Sequence, residues 1–223
     1  TGGVATATVA ATFASPALLS GVTVGADGAV WVADRAGGSV TRVIDVAGTW
    51  TPQSPIQVAS AWREMKLTTS SDGSIWVLFQ NWDRVQRISS SGGVWSAEPE
   101  LISDSQPADF ASDASGRLWI TNQANFLTEA IVTNGVGALR PSQSTPFWGR
   151  LATAGPTGSM YMSDSGCRIY QYDLTSTQLT RVGYPACGSN SIAATSDGAI
   201  WLNARDQGTL MRWAPVNSNE LQV

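Results

Sequence analysis

The chain has 223 residues, of which 43% are hydrophobic and only 13% charged, with a net charge of -4, no histidine and a single lysine, Lys66. Against ~25% charged residues in an average globular domain, this is a folded, weakly charged chain with no basic run to neutralise phosphates, so nucleic acid is not expected as a partner. Without histidine no Ser-His-Asp or Cys-His set and no His-containing zinc site can be assembled, and no stretch approaches the ~18 apolar residues of a membrane helix, so a soluble chain without membrane insertion is expected.

Taken in chain order, the sequence opens on Gly2-Gly3-Val4-Ala5-Thr6, which aligns with Gly92-Gly93-Val94-Trp95-Ser96 further on and reads as the start of an outer strand. A quartet of Gly, a small or basic residue, an aliphatic and an aromatic then recurs five times. The copies are Gly28-Ala29-Val30-Trp31, Gly73-Ser74-Ile75-Trp76, Gly116-Arg117-Leu118-Trp119, Gly158-Ser159-Met160-Tyr161 and Gly198-Ala199-Ile200-Trp201, with aromatics 45, 43, 42 and 40 residues apart. Asp27, Asp72 and Asp197 precede three of the glycines, as a tight hairpin turn with positive φ requires. Eleven residues after the aromatic come Arg42-Val43, Arg87-Ile88 and Arg212-Trp213, in what reads as a third strand, where the fourth unit has Tyr170-Gln171-Tyr172. Gly48-Thr49-Trp50-Thr51 and Gly93-Val94-Trp95-Ser96 open the outer strand of the first two units.

A period of 40 to 45 residues with turn signals before short β-rich runs is the mark of a four-stranded propeller blade. The sequence therefore predicts an all-β, five-bladed β-propeller as a single domain. Its blades are expected near 17–60, 61–106, 107–148, 149–188 and 189–223 plus 1–16. Little sequence follows Met211-Arg212-Trp213, so the N-terminal segment from Val4 to Phe13 is expected to complete the last blade and close the ring, protecting strand edges. Cys167 should start the third strand of blade four and Cys187 should end the fourth, at the same end of neighbouring strands. A disulfide is expected there, closing a loop of about 21 residues worth ~3 kcal/mol in the chain-entropy model. Such a bridge implies an oxidising compartment, so a secreted, extracellular protein is expected; the start at Thr1 fits a trimmed chain and a removed signal peptide alike.

Phosphate-loop, nucleophile-elbow, Cys-x-x-Cys and EF-hand motifs are all absent, and neither a cofactor nor a metal is expected. The repeat-phase glycines and aromatics read as turn and packing residues. Residues that break the repeat are more informative. Gln80-Asn81-Trp82-Asp83-Arg84 lies between strands two and three of blade two, and Ala61-Trp62-Arg63-Glu64 leads into that blade, on the same face. Phe147-Trp148-Gly149-Arg150, entering blade four, belongs on that face too, with Asn122, Asn125, Asp164, Asn203, Arg205 and Asp206. Trp beside Asn, Asp and Arg suits a sugar, because the indole packs against pyranose C–H groups while planar polar groups bond its hydroxyls. Trp62, Trp82 and Trp148 equally suit plugs between blades.

Blade one, with Val22-Thr23-Val24-Gly25-Ala26-Asp27-Gly28-Ala29-Val30-Trp31-Val32 and Gly48-Thr49-Trp50, resembles the tectonin repeat of β-propeller lectins. That resemblance implies glycan binding without catalysis, at sites between or within blades. It departs in blades three and four, which lack Asp before Gly116 and Gly158. The repeat also looks like that of the streptogramin B lyase propellers, a family that uses histidine and a divalent ion; this chain has no histidine to match.

The leading expectation is a non-enzymatic lectin binding glycans or glycoconjugates through Trp62, Arg63, Asn81, Trp82, Asp83, Asn122, Trp148, Arg150, Asp164, Asn203 and Arg205. The alternatives are a carbohydrate-active enzyme with an Asp/Glu pair at the channel mouth, drawn from Glu64, Asp83, Asp104, Asp109, Asp164 and Asp206, or a scaffold for protein partners.

Overall fold

The computed structural model describes residues 9–13, 17–58, 62–80, 82–103, 106–112, 116–145, 149–154, 159–164, 168–173, 175–176, 178–183, 189–195, 199–204 and 209–213. Within them the chain is all β, five small antiparallel sheets arranged as a five-bladed propeller. Blade one comprises β1 (Leu19–Val24), β2 (Val30–Asp34), β3 (Ser39–Val46), β4 (Thr49–Pro52) and the short β5 (Ile56–Gln57). Blade two follows with β6 (Met65–Thr69), β7 (Ile75–Phe79), β8 (Arg84–Ser91), β9 (Val94–Ala97) and β10 (Leu101–Ile102). Blade three holds β11 (Pro107–Ser112), β12 (Leu118–Asn122), β13 (Phe126–Thr133), β14 (Val136–Leu139) and β15 (Gln143–Ser144). Blade four holds β16 (Gly149–Ala154), β17 (Ser159–Asp164), β18 (Ile169–Asp173) and β19 (Leu179–Gly183), and blade five β20 (Ser189–Ala194), β21 (Ile200–Ala204) and β22 (Thr209–Trp213).

The Asp-Gly pair does its expected work between the first and second strands. Asp27 Oδ1 accepts the Ala29 N–H at 3.1 Å and Asp72 Oδ1 accepts the Ser74 N–H at 3.1 Å, while Gly28 and Gly73 sit at φ 78° and 81°. A side chain with a Cβ pays strain there, which is why the turn repeats with Gly. The outer hairpins use two consecutive left-handed residues, Ala47-Gly48, Gly92-Gly93 and Asn134-Gly135, the backbone of a type I′ turn.

Successive residues of each strand point to opposite faces of its sheet, and consecutive blades stack face to face. Trp31, Ala33 and Val40 of blade one pack on Met65, Ile75, Val77, Phe79 and Ile88 of blade two. Trp76, Leu78 and Val85 pack on Phe110, Leu118 and Ile120 of blade three. Trp119 meets Tyr172 with ring centroids 5.9 Å apart, and Tyr161 meets Trp213 at 5.6 Å, both edge to face. In blades one to four the recurring aromatic is therefore the knob inserted into the next blade.

Polar links run along the same stack. Thr69 Oγ1 donates to Val24 O at 2.7 Å and Ser71 Oγ to Gly116 O at 3.1 Å. β1 and β6 approach so closely that a Cβ built on Gly21 lies 2.6 Å from Met65 O.

Two expectations fall on undescribed positions. Of the segment expected to complete blade five, residues 1–8 lie outside the described residues, and 9–13 carry no strand. Cys167 and Cys187, expected to form a disulfide, both lie outside the described residues.

Candidate functional site

The links between blades and the loops joining strands two and three share one face, and there blade two differs from its neighbours. Trp62 stands in the link ahead of β6 with its backbone left-handed at φ 72° and 71% of the residue exposed. Its N–H donates to Arg35 O in the loop of blade one, which holds the strained backbone in place. Arg35 pairs with Glu64 at 2.9 Å, tying the same link down from the other side.

Trp82, in the loop between β7 and β8, is half-buried and packs edge to face on Phe79 with centroids 5.8 Å apart. Two guanidinium groups sit over its ring, Arg63 at 5.4 Å and Arg84 at 5.8 Å. Such stacking is favourable because the ring face is negative, and it fixes both cations beside the exposed Trp62 link. Asp83 Oδ1 accepts the Gln106 N–H at 2.6 Å and its carbonyl accepts the Ser103 N–H at 3.1 Å, so this carboxylate anchors the chain entering blade three. Arg84 also donates to Asp83 O at 2.8 Å and faces Glu100 at 3.6 Å. Trp62, Arg63, Trp82 and Asp83 are thus the expected residues that gather: one rim carrying an exposed indole, a half-buried indole and alternating charge.

The other expected residues divide differently. Asn122, fully buried, accepts the Ala124 and Phe126 N–H groups through Oδ1 at 3.1 and 2.9 Å. Asp164, 7% exposed, accepts Arg168 N and Nε at 2.9 and 2.6 Å. Asp34 holds the same position in blade one and caps Leu18 and Ala36. These three end the second strand and close the loop after it, a role for which Asn and Asp are the natural choice. Asn203 of β21 accepts the Ser191 N–H of β20 at 2.8 Å. Asn81, Trp148 and Arg205 lie outside the described residues, and Arg150 is placed only as a backbone residue of β16.

Among the described candidate acids, Asp109 is the one that bridges three blades. It lies on the innermost strand of blade three, pairs with Lys66 of blade two at 2.9 Å, and accepts the Ala152 N–H of blade four at 3.3 Å. One carboxylate therefore joins three blades. Burial raises its pKa, outweighing the opposing pull of Lys66 and of its backbone hydrogen bonds.

The opposite face carries features that the repeat reading assigned to turns alone. Burial pushes the Asp72 carboxyl upward, but hydrogen bonds from Ser70, Ser74 and Arg87 outweigh it and hold its pKa at about 2. Arg87 is 5% exposed and also reaches Glu98, Ser74 and the Gly135 carbonyl of blade three. Between blades two and three this face opens into a cleft of about 450 Å³ lined by Asp72, Trp76, Arg117, Glu129 and Arg140, and between blades one and two into one of about 290 Å³. Asp27 and Asp72 are ion-paired to Arg42 and Arg87, which makes them parts of the scaffold.

No family model matches the chain, and no curated protein matches it in sequence. Solved structures do match. The chain is similar to virginiamycin B lyase from Staphylococcus aureus, with 19% identity and a TM-score of 0.64 over 89% of this chain and 71% of that one. It is similar to a protein from Lactobacillus plantarum at 10% identity and TM-score 0.75, covering 92% and 69%, and to a 6-phosphogluconolactonase-like protein from Bacteroides fragilis at 14% and 0.70, covering 90% and 67%. At such identities the likeness carries the fold alone. The sequence resemblance to the lyase propellers has a structural counterpart here, whereas no tectonin lectin is among these structures. A histidine-to-alanine form of the Staphylococcus aureus lyase is described as catalytically inactive.

Proposed function

We propose that this propeller is a non-enzymatic carbohydrate-binding protein and that its site is the rim of blade two formed by Trp62, Arg63, Trp82 and Asp83. The observation that supports this is Trp62: an indole 71% exposed, held on a left-handed backbone by contacts from blade one and set beside a second indole flanked by two guanidiniums. A flat, presented ring with planar donors beside it matches a pyranose, whose C–H face packs on the indole while its hydroxyls take hydrogen bonds. One such rim gives weak binding, and repeated sugars on a surface would strengthen it through effective concentration. Titration of immobilised glycans tests the reading. The wild type should bind one sugar class and Trp62→Ala should lose about five- to thirtyfold in affinity at nearly unchanged melting temperature, since one indole contact is worth about 1–2 kcal/mol. Background binding across a broad glycan panel would overturn it.

A second reading, an enzyme acting at the channel, draws on the names of some matched structures and on the half-buried Lys66–Asp109 pair. Three observations count against it. The chain has no histidine, Asp109 faces a lysine rather than a second carboxylate, and its remaining oxygen is bonded to the Ala152 N–H. Turnover of a polysaccharide or lactone that is abolished by Asp109→Asn in a folded variant would favour this reading instead.

A further inference from the structure

The four interfaces inside the chain are one interface repeated. Each blade offers the next an aromatic from its second strand, and Trp31, Trp76, Trp119 and Tyr161 are at most 3% exposed. It also offers an aliphatic from its third strand, and Val40, Val85, Leu127 and Ile169 are at most 1% exposed. The receiving face is equally uniform. Ile75 and Val77 in blade two, like Ile200 and Leu202 in blade five, are at most 1% exposed.

The two ends of the series break this rule in complementary ways. Leu210 holds in blade five the position of Val40, yet it is 67% exposed, and the neighbouring Trp201 is only half-buried. In blade one the receiving face presents Val22 and Val24 of β1 at 65% and 61% exposed, beside half-buried Val30 and Val32. The counterparts of Val22 in later blades are Leu67, which is half-buried, and Phe110, Ala152 and Ile192, which are at most 9% exposed. The chain therefore carries an uncovered donor face at one end and an uncovered receiving face at the other, each built to the same pattern as four covered ones. Apolar patches of this kind on a propeller mark a docking surface.

The matched propellers say how wide the interval is. Their chains extend beyond the matched part by roughly 80 to 110 residues, about two repeats of this length. A second copy of this chain would bring five blades, where the matched propellers carry only about two repeats' length of further chain.

We propose that the interval from blade five round to blade one is filled by two further blades of the same repeat, on polypeptide other than these 223 residues. The blade against Leu210 and Trp201 presents alternating aliphatics, and the blade against Val22 and Val24 presents an aromatic and an aliphatic. This assignment stands apart from the carbohydrate reading, because neither face includes the blade-two rim.

The test appends a second copy of residues 107–188, two blades of this same chain, after Val223 and compares thermal melting, binding of a fluorescent apolar dye, and Leu210→Asp and Val22→Asp variants in both lengths. The expected result is a higher melting temperature and at least a twofold lower dye signal for the extended chain. The two substitutions should lower its melting temperature by at least 5 °C and leave that of the 223-residue chain within about 1 °C. Three results would overturn the proposal. The extension could change neither property, Leu210→Asp could destabilise the 223-residue monomer, showing that its own blade one covers that face, or the 223-residue chain could sediment as a dimer that Leu210→Asp dissociates.

Discussion

Arg87 and Arg42 occupy the same place in consecutive blades, yet their replacement by Met should have very different consequences. The Arg42–Asp27 pair has side chains 25% and 38% exposed, and exposed pairs contribute ~0–1 kcal/mol. Arg87 is 6% exposed in its side chain and meets Glu98, itself 15% exposed, along with Asp72 at 2.7 Å, Ser74 Oγ at 2.9 Å and Gly135 O at 2.7 Å. Glu98 continues the chain of bonds to the Gly137 N–H of blade three at 2.9 Å. Arg87→Met keeps the apolar stem but leaves a buried carboxylate and a buried carbonyl without their cation, at a cost of ~3–5 kcal/mol. For a chain of this size each kcal/mol moves the melting temperature by ~2–4 °C, so Arg87→Met should melt about 6–20 °C lower and Arg42→Met within about 4 °C of the wild type. Asp72 adds a pH signature. Its pKa of about 2 lies below the unfolded value of 3.8, so its contribution is present above pH 3.8 and lost as pH falls through about 2. The ~2.4 kcal/mol implied by that shift is cut by solvent to ~1 kcal/mol, because the side chain is 36% exposed. Melting followed by circular dichroism between pH 2 and 7 should show the acid limb moving upward in pH for Arg87→Met. Equal losses for the two arginine variants, or an unmoved acid limb, would refute the reasoning.

Gly21→Ala sets a Cβ against Met65 O at 2.6 Å and should cost ~1–3 kcal/mol by chemical denaturation, because two backbones rather than a flexible side chain must yield. Lys66→Met removes the cation from a half-buried carboxylate whose folded pKa is already raised, so the variant should be destabilised by ~1–3 kcal/mol at neutral pH. It should regain part of that loss on acidification: a raised acid favours folding when protonated, and that benefit disappears as pH rises through its folded pKa. Trp62→Ala, by contrast, should cost under ~1 kcal/mol of stability, while Trp76→Ala, 1% exposed at the equivalent of a fully packed knob, should cost ~3–5 kcal/mol; similar losses at both would undo the distinction between a presented and a packed indole.

The scaffold was legible because its signals are local. An Asp that bonds the N–H two residues on and a Gly at positive φ can be read without knowing what packs nearby, and the five recurring aromatics then give the period. The third copy of the outer hairpin was not legible from a Gly-x-Trp pattern. Asn134-Gly135 makes the same left-handed turn as Gly92-Gly93, but the position of Trp95 is Gly137, and a Cβ there would lie 3.0 Å from the Trp76 ring. Blade one solves the same contact by pairing Trp31 with Trp95 at 4.7 Å, so a large residue on one side of an interface and none on the other are two ways of filling one space.

The site was legible only in part, and the division has a physical cause. Trp62, Arg63, Trp82 and Asp83 lie within a few residues of one another in two adjoining connections, so their convergence follows from topology. Asn122 and Asp164 look equally polar in sequence, but whether a loop Asn or Asp faces solvent or turns back onto its own backbone depends on the next four residues. In both cases the backbone claims it, at Phe126 and at Arg168. The recurrence of Asp34 at the same position carried that information: a polar residue in repeat phase belongs to the scaffold, as the phased arginines and aspartates of the opposite face do. By the same argument the out-of-phase residues are where function has to be sought. Trp62 has no counterpart in the other blades' described links, and it stands mostly exposed on a left-handed backbone outside the cluster that Trp31 and Trp95 help to close.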